Sequence, residues 1–243
     1  MQKKDRPFVL MIGGFDTSAG AGVLADVKTA EQIGVQALSV LTANTIQTEY
    51  LFYDLEWLPI AGVRKAIAVL FQSYDIKCVK IGVVPDVLYL SNIVDEVIKY
   101  NRSCKIIWDT VIYSSSNQLF LCVSNEDMIK DLLPFIYLLT PNYMEFKALD
   151  LSGDIGVFVF LKGGHREDNI GQDILYGGSK EIVFMPSQIV KGNGKHGSGC
   201  VLAAAITSYL GKGFDIETAC LKAKNYVTVF LNSNTSMLGY HKS

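Results

Sequence analysis

Apolar positions along this chain switch repeatedly between a run or period-two pattern and a helical spacing, and that switching predicts its elements. Phe8-Val-Leu-Met-Ile12 is an unbroken apolar run closed by Gly13-Gly14, the pattern of a strand buried on both faces. Residues 23–33 carry apolar positions at helical spacing and stop at Gly34, which predicts a helix. The same reading places strands at 36–43, 78–84, 105–109, 137–140 and 156–161. It places helices at 60–72, 87–100, 125–133 and 143–149, with Asp86 suited to cap the second of these. One segment departs from the alternation: in 173–184, Gly177-Gly178 stands between two β-rich runs and predicts a hairpin. Two helices, 200–210 and 216–231, follow.

Strands alternating with helices imply right-handed crossovers and a largely parallel sheet with helices on both faces. The expected architecture is a doubly wound, three-layer α/β fold carrying an antiparallel hairpin at one edge. No linker, low-complexity tract or internal repeat interrupts it, so residues 1–243 are read as a single domain.

The chemistry concentrates in Lys191-Gly-Asn-Gly-Lys-His-Gly-Ser-Gly-Cys200 and the small-residue apolar run Val-Leu-Ala-Ala-Ala-Ile-Thr-Ser-Tyr-Leu-Gly211 behind it. Gly197 and Gly199 permit close approach to the backbone, and a helix starting there presents amides without internal partners and with partial positive charge. Phosphate is the expected occupant. Cys200 falls in the first turn, where that field favours the thiolate and makes the thiol a candidate proton acceptor. An inert, packed cysteine behind an ordinary glycine-rich turn is the plainer alternative.

Composition narrows the classes. An apolar share of 49% over 243 residues is ample for a core, and a net charge of −2 without a basic run argues against nucleic acid or an anionic membrane as partner. Five scattered cysteines without a C-x-x-C pair fit neither a disulfide framework nor a zinc site, which points to a reducing cytoplasm. Asp5, Arg6 and Asp16 break up the first apolar run, so a secretory signal is not expected, and no stretch is long enough to cross a bilayer.

In an open parallel sheet the ligand crevice lies beyond the carboxyl ends of the strands. There the chain places Gly13-Gly14 and Asp16, then Asn44 and Gln47, Asp109 and Thr110, Asn142 and Glu145, and Lys162-Gly-Gly-His165. Two carboxylates suited to magnesium and a lysine suited to phosphate form the mixture that phosphoryl transfer requires. No G-x-x-x-x-G-K-[ST] is present, which excludes a Walker-type site. Gly20-Ala-Gly-Val-Leu-Ala25 matches a relaxed dinucleotide turn and keeps a nicotinamide dehydrogenase, or a nucleotide-binding module without kinase activity, as a second class.

Taken in order, 13–29 (Gly-Gly-Phe-Asp-Thr-Ser-Ala-Gly-Ala-Gly and onward), Ser39-Val-Leu-Thr-Ala43 with Gln47, Lys80-Ile-Gly82, Trp108-Asp-Thr-Val111, Thr140-Pro-Asn-x-x-Glu145, Leu161-Lys-Gly-Gly-His165 and Lys195-His-Gly-Ser-Gly-Cys200 resemble the hydroxymethylpyrimidine and phosphomethylpyrimidine kinases of thiamine synthesis, of the ribokinase superfamily. The resemblance implies a ribokinase-like fold and ATP- and Mg2+-dependent phosphorylation of a pyrimidine hydroxymethyl group, then of the monophosphate. It implies Cys200 as base, Gly197, Ser198, Gly199 and Cys200 as an anion hole, and Lys162 as the balance of phosphate charge. Asp109, Asn142 and Glu145 would organise magnesium and phosphates. Gln47 would hydrogen-bond the ring, with Gly14, Asp16, Ala21 and Val83 about the substrate; an amide that both donates and accepts suits an aminated heterocycle. A pyridoxal-type substrate remains the alternative within the superfamily.

Three departures from the resemblance bear on function. Thr17 and Ala19 stand where the family usually has Pro and Gly, and Ser114-Ser-Ser-Asn117 lacks its usual Lys-Ser-Gly. Only residues 150–155 connect Leu149 to Gly156, where relatives insert a whole helix. The expectation is that neighbouring elements or a second subunit cover strand 156–161, and a homodimer is the expected assembly.

Overall fold

The computed structural model describes residues 6–113, 120–121, 126–151, 155–163, 171–178, 180–186 and 194–242. The positions singled out at 114–117, 122, 125, 164–165 and 191–193 lie outside these. The described strands are β1 (Phe8–Asp16), β2 (Gln36–Gln47), β3 (Phe52–Trp57), β4 (Ile76–Ile81), β5 (Lys105–Trp108), β6 (Leu138–Leu139), β7 (Phe158–Leu161), β8 (Asp173–Gly177) and β9 (Lys180–Phe184). The helices are α1 (Gly22–Ile33), α2 (Ile60–Ser73), α3 (Val87–Tyr100), α4 (Glu126–Leu132), α5 (Tyr143–Ala148), α6 (Ser198–Gly211) and α7 (Ile216–Leu231).

All nine strands join one sheet in the order β3-β2-β1-β4-β5-β6-β7-β8-β9. The block from β2 to β7 is parallel, and β8 and β9 form the expected antiparallel hairpin at one edge. Buried side chains divide between the two faces. Leu10 and Ile12 point into a core made with α2, α3 and α4, whereas Val9 and Met11 point into one made with α1, α6 and α7. An unbroken apolar run is what a strand covered on both sides requires. Helix ends follow local rules: Asp86 Oδ1 accepts from the Tyr89 amide, and Gly34, at φ 87°, lets its own amide close α1 on Ala30 and Glu31.

Three expectations need correction. First, β1 and β2 run farther than 8–12 and 36–43, so Gly13, Gly14, Asp16, Asn44 and Gln47 lie within strands rather than after them. Their mutual pairing, Gly14 with Ala43 through Asp16 with Thr45, extends both. Second, β3 was not anticipated: Phe52-Tyr-Asp-Leu-Glu-Trp57 pairs antiparallel with β2 at the opposite edge, with a register shift at Ile46/Gln47. Third, β7 is buried without a second subunit. Val159, Phe160 and Leu161 are at most 4% exposed, and Leu149, Leu151 and Phe146 (its ring 6.3 Å from Tyr176) pack on the face where a longer crossover helix was missed.

Candidate active site

Parallel strands deliver their carboxyl ends to one rim, and there β4, β5, β7 and the start of α5 place charges of alternating sign. Asp26, from the buried side of α1, holds the Lys80 ammonium at 2.8 and 3.0 Å. Lys80 lies 3.8 Å from Asp109 Oδ2. Asp109 Oδ1 accepts from Lys162 Nζ at 3.1 Å and from Thr140 Oγ1 at 3.2 Å. Lys162 reaches Glu145 Oε2 at 3.8 Å, and Glu145 also accepts from the Asn142 amide and from Thr110 Oγ1. Asn142 and Glu145 form a reciprocal capping box at α5, so the first-turn reading of Glu145 and its place beside Lys162 hold together.

Proton affinities follow these contacts. Burial pushes the Asp109 carboxyl up, but Lys162 and Lys80 outweigh it and hold it below the usual carboxylate range. Burial dominates at Glu145, which is raised, and at Asp26, raised to about 6 despite Lys80. Both lysines are raised, since Asp26 and Asp109 around Lys80, and Asp109 and Glu145 around Lys162, overcome the burial that opposes their charge.

Next to this row stands the first turn of α6. Gly197 is its N-cap at φ 75°, a conformation suited to glycine, and the Ser198 amide turns back to the Lys195 carbonyl. Gly199 and Cys200 supply first-turn amides for an external acceptor. A Cβ placed on Gly199 would lie 3.5 Å from Lys162 Nζ, so the ammonium sits directly over this helix start. Cys200 is corrected by the structure. Its thiol is pushed up to about 12, first by burial and then by Asp109 and Asp26, against the opposing pull of Lys80 and the Gly22 amide. The helix field alone predicts a more acidic thiol; its carboxylate surroundings reverse the sign.

On the β1–β2 side, Gln47 Nε2 donates to Thr45 Oγ1 at 2.8 Å, and that hydroxyl donates to the Phe15 carbonyl. The Gln47 amide is thereby oriented with its Oε1 as the remaining acceptor. Thr17 Oγ1 donates to the Gln47 carbonyl and accepts from its amide, two bonds that a proline at this position cannot make. Gly14 packs against Val83, whose Cγ1 would stand 3.0 Å from an added Cβ. Asp16 is not a free substrate contact: its carboxylate accepts from Ser18, Ala21 and His196. Burial raises Asp16, and those bonds bring it below the usual range. Gly20 and Gly22, the relaxed dinucleotide match, pack against His196 with Leu238 and against the Gly14 carbonyl respectively, so their missing side chains serve internal packing.

Sequence reasoning assigned no role to Asp26, Lys80, Thr110, Thr140 or His196. Lys80 did carry a signal, because a lysine inside a strand buried on both faces requires a buried partner. As for magnesium, the described residues contain no group of three or more His, Cys, Asp or Glu side chains able to hold a metal. The fit is of another kind: Asp109 Oδ2 is buried without a hydrogen-bond partner, with Glu145 nearby. That suits a magnesium ion drawing most of its ligands from phosphate and water.

A nine-stranded, mostly parallel sheet between two helical layers, with this charge row facing a glycine-started helix, defines a phosphotransferase of ribokinase-like fold. The chain matches the phosphomethylpyrimidine kinase family over residues 16–243, and it belongs to that family. It is similar to the hydroxymethylpyrimidine/phosphomethylpyrimidine kinase of Aquifex aeolicus, at 30% identity covering 95% of this chain and 96% of that protein. It is also 30% identical to the bifunctional thiamine biosynthesis protein ThiDN of Methanocaldococcus jannaschii, over 97% of this chain but spanning only 56% of that longer protein. Among solved structures, a phosphomethylpyrimidine kinase from Clostridium difficile 630 superposes with a TM-score of 0.76 at 31% identity, covering 92% of this chain and 98% of that one. The ADP complex of Staphylococcus aureus pyridoxal kinase, at 24% identity and a TM-score of 0.84 over 96% of this chain and 91% of that one, shares the fold. No helix among the described residues is long and apolar enough to cross a membrane.

Proposed function

We propose that this chain transfers the terminal phosphoryl group of ATP to the hydroxymethyl oxygen of 4-amino-5-hydroxymethyl-2-methylpyrimidine, and then to the resulting monophosphate, in thiamine biosynthesis. The observation that carries the reading is the row Asp26, Lys80, Asp109, Lys162, Glu145, which alternates in sign and ends against the first-turn amides of α6. Phosphoryl transfer depends on positioning and charge stabilisation, and this row supplies both.

Lys162, between Asp109 and the start of α6, would turn its ammonium to the transferring phosphoryl oxygens, with the Gly197 to Cys200 backbone donating from the other side and Asn142 at the phosphates. Asp109 and Glu145 would hold magnesium, whose charge, when bound, offsets that of the phosphates. Gln47 Oε1 accepts from the ring's exocyclic amine, while Gly14, Ala21 and Val83 line the ring. An acceptor oriented by Thr45 favours an aminopyrimidine over a pyridoxal-type ring, which presents no amine there. Cys200 is the acceptor for the hydroxymethyl proton. Its high proton affinity places that transfer late, as the new oxygen–phosphorus bond forms, in keeping with a loose transition state.

A homodimer and a cytoplasmic location complete the proposal. Because one chain buries β7 by itself, dimerisation would use another surface, and sedimentation equilibrium reads the mass directly. The chemistry is tested by incubating the purified protein with ATP and Mg2+ and either the pyrimidine or pyridoxal. Pyrimidine phosphate is the expected product; pyridoxal phosphate alone would transfer the assignment to the other vitamer, and nicotinamide binding without ADP release would end it. Cys200→Ala should lower turnover at least about a hundredfold while the pyrimidine Kd stays within about threefold. Retention of most activity would remove Cys200 from the reaction.

A further inference from the structure

Among the described residues, His196 Nδ1 is one of two buried side-chain polar atoms without a hydrogen-bond partner. The ring is 6% exposed, and its other nitrogen, Nε2, lies 2.8 Å from Asp16 Oδ2. With nothing opposite Nδ1, a proton there would be a buried, unpaired donor. The proton therefore belongs on Nε2, which donates to Asp16.

The same Asp16 Oδ2 accepts the Ala21 amide at 2.8 Å. One oxygen thus joins the loop that lines the ring pocket to the residue immediately before the anion loop, across 180 positions of sequence. The two loops also touch through their backbones. A Cβ on Gly197 would stand 2.0 Å from the Gly20 carbonyl oxygen, and one on Gly20 would stand 2.6 Å from His196 Cδ2. Behind them, the His196 amide donates to the Met237 carbonyl and Lys195 Nζ donates to Asn234 Oδ1 at 2.8 Å, so the segment after α7 braces the anion loop. Lys195 is therefore engaged with that segment, although it neighbours the phosphate-binding backbone in sequence.

We propose that His196 is a positioning residue: through Asp16 Oδ2 it sets the separation between the loop carrying the acceptor alcohol and the amides carrying the phosphoryl group. The inference rests on the kinase reading above. Neither loop needs His196 to bind its own ligand, so its loss should leave both affinities near their original values. What it sets is the alignment of alcohol oxygen and phosphorus, and a misplacement of about 1 Å costs on the order of a hundredfold in rate. A slackened interface also admits water to the phosphoryl group, so ATP hydrolysis should continue as transfer falls.

The test compares ADP released with pyrimidine phosphate formed. In the wild type the ratio should be close to one to one; if the wild type forms no pyrimidine phosphate, the kinase reading fails, independently of His196. His196→Phe keeps a ring and removes the donor. It should lower kcat for transfer about ten- to a hundredfold, keep both KM values within about threefold and release several ADP per product. His196→Gln, which can still donate to Asp16, should return the ratio most of the way to one. His196→Asn, too short to reach Asp16, should behave like the Phe variant and replaces it if that protein does not fold. The proposal is overturned if either variant lacking the donor stays tightly coupled, if the losses lie wholly in KM, or if only the melting temperature changes.

Discussion

Replacing Lys80 with methionine isolates the electrostatics under the site. Lys80 and Asp26 are 1% and 0% exposed, their charges meet at 2.8 Å, and Asp109 Oδ2 faces the same ammonium at 3.8 Å. Methionine retains much of the volume and removes the charge, leaving Asp26 buried without a partner and Asp109 with Lys162 alone. Breaking a buried pair in this way costs about 3–5 kcal/mol. For a chain of this size each kcal/mol corresponds to about 2–4 °C, so the melting temperature should fall by about 6–20 °C. Adding Asp26→Leu removes the stranded carboxylate and should recover at least about 2 kcal/mol, because a buried pair exchanged for apolar groups is close to neutral. Urea unfolding followed by fluorescence of Trp108, buried next to Asp109, supplies the free energies. The pH dependence carries a sign of its own. Asp26 has a folded pKa of about 6, above its unfolded value of about 4, so its ionisation disfavours the fold. Without Lys80 that pKa climbs further, and stability declines as pH rises from the unfolded value through the folded one. The variant should therefore be less destabilised at pH 5 than at pH 8, with a slope of at most about 1.4 kcal/mol per pH unit from this group. A loss under about 1 kcal/mol, a double variant no better than the single, or a larger defect at pH 5 would each refute the reasoning.

Two further outcomes follow from the first turn of α6. In the ligand-free protein, alkylation of the Cys200 peptide by iodoacetamide, read by mass spectrometry, should still be accelerating at pH 10, because the thiol titrates near 12; a plateau between pH 7 and 8 would show an acidic thiol instead. Gly197→Ala combines a φ of 75° with a Cβ 2.0 Å from the Gly20 carbonyl oxygen, so it should cost at least about 2 kcal/mol and most of the turnover; wild-type-like melting with normal activity would disprove the contact between the loops.

Much of the fold was legible because its signals are local. The helices at 87–100 and 216–231 end at the predicted residues, since apolar spacing and an aspartate cap act within a few positions. The hairpin at 173–184 was marked by its two glycines. By contrast, Phe52–Trp57 is an edge strand with charged outward positions, and only its pairing with a prolonged β2 makes it a strand at all. The short connection before β7 was visible, but not its cover, which Leu149, Leu151 and Tyr176 provide from segments distant in sequence or made close by a turn.

At the site, residue types and spacing by themselves determined that an anion-binding helix start, two carboxylates and a lysine would meet at one rim, because parallel strands bring their carboxyl ends together. Only the tertiary structure decided what each group's charge does. Cys200 turned from the acidic thiol a helix start favours into one raised to about 12, Asp16 became the junction of two loops, and Lys80 acquired Asp26 from 54 positions away. The reason is that hydrophobic period and capping are short-range properties of the chain. Desolvation and Coulomb energy instead depend on which distant side chains share a buried volume, and packing alone settles that.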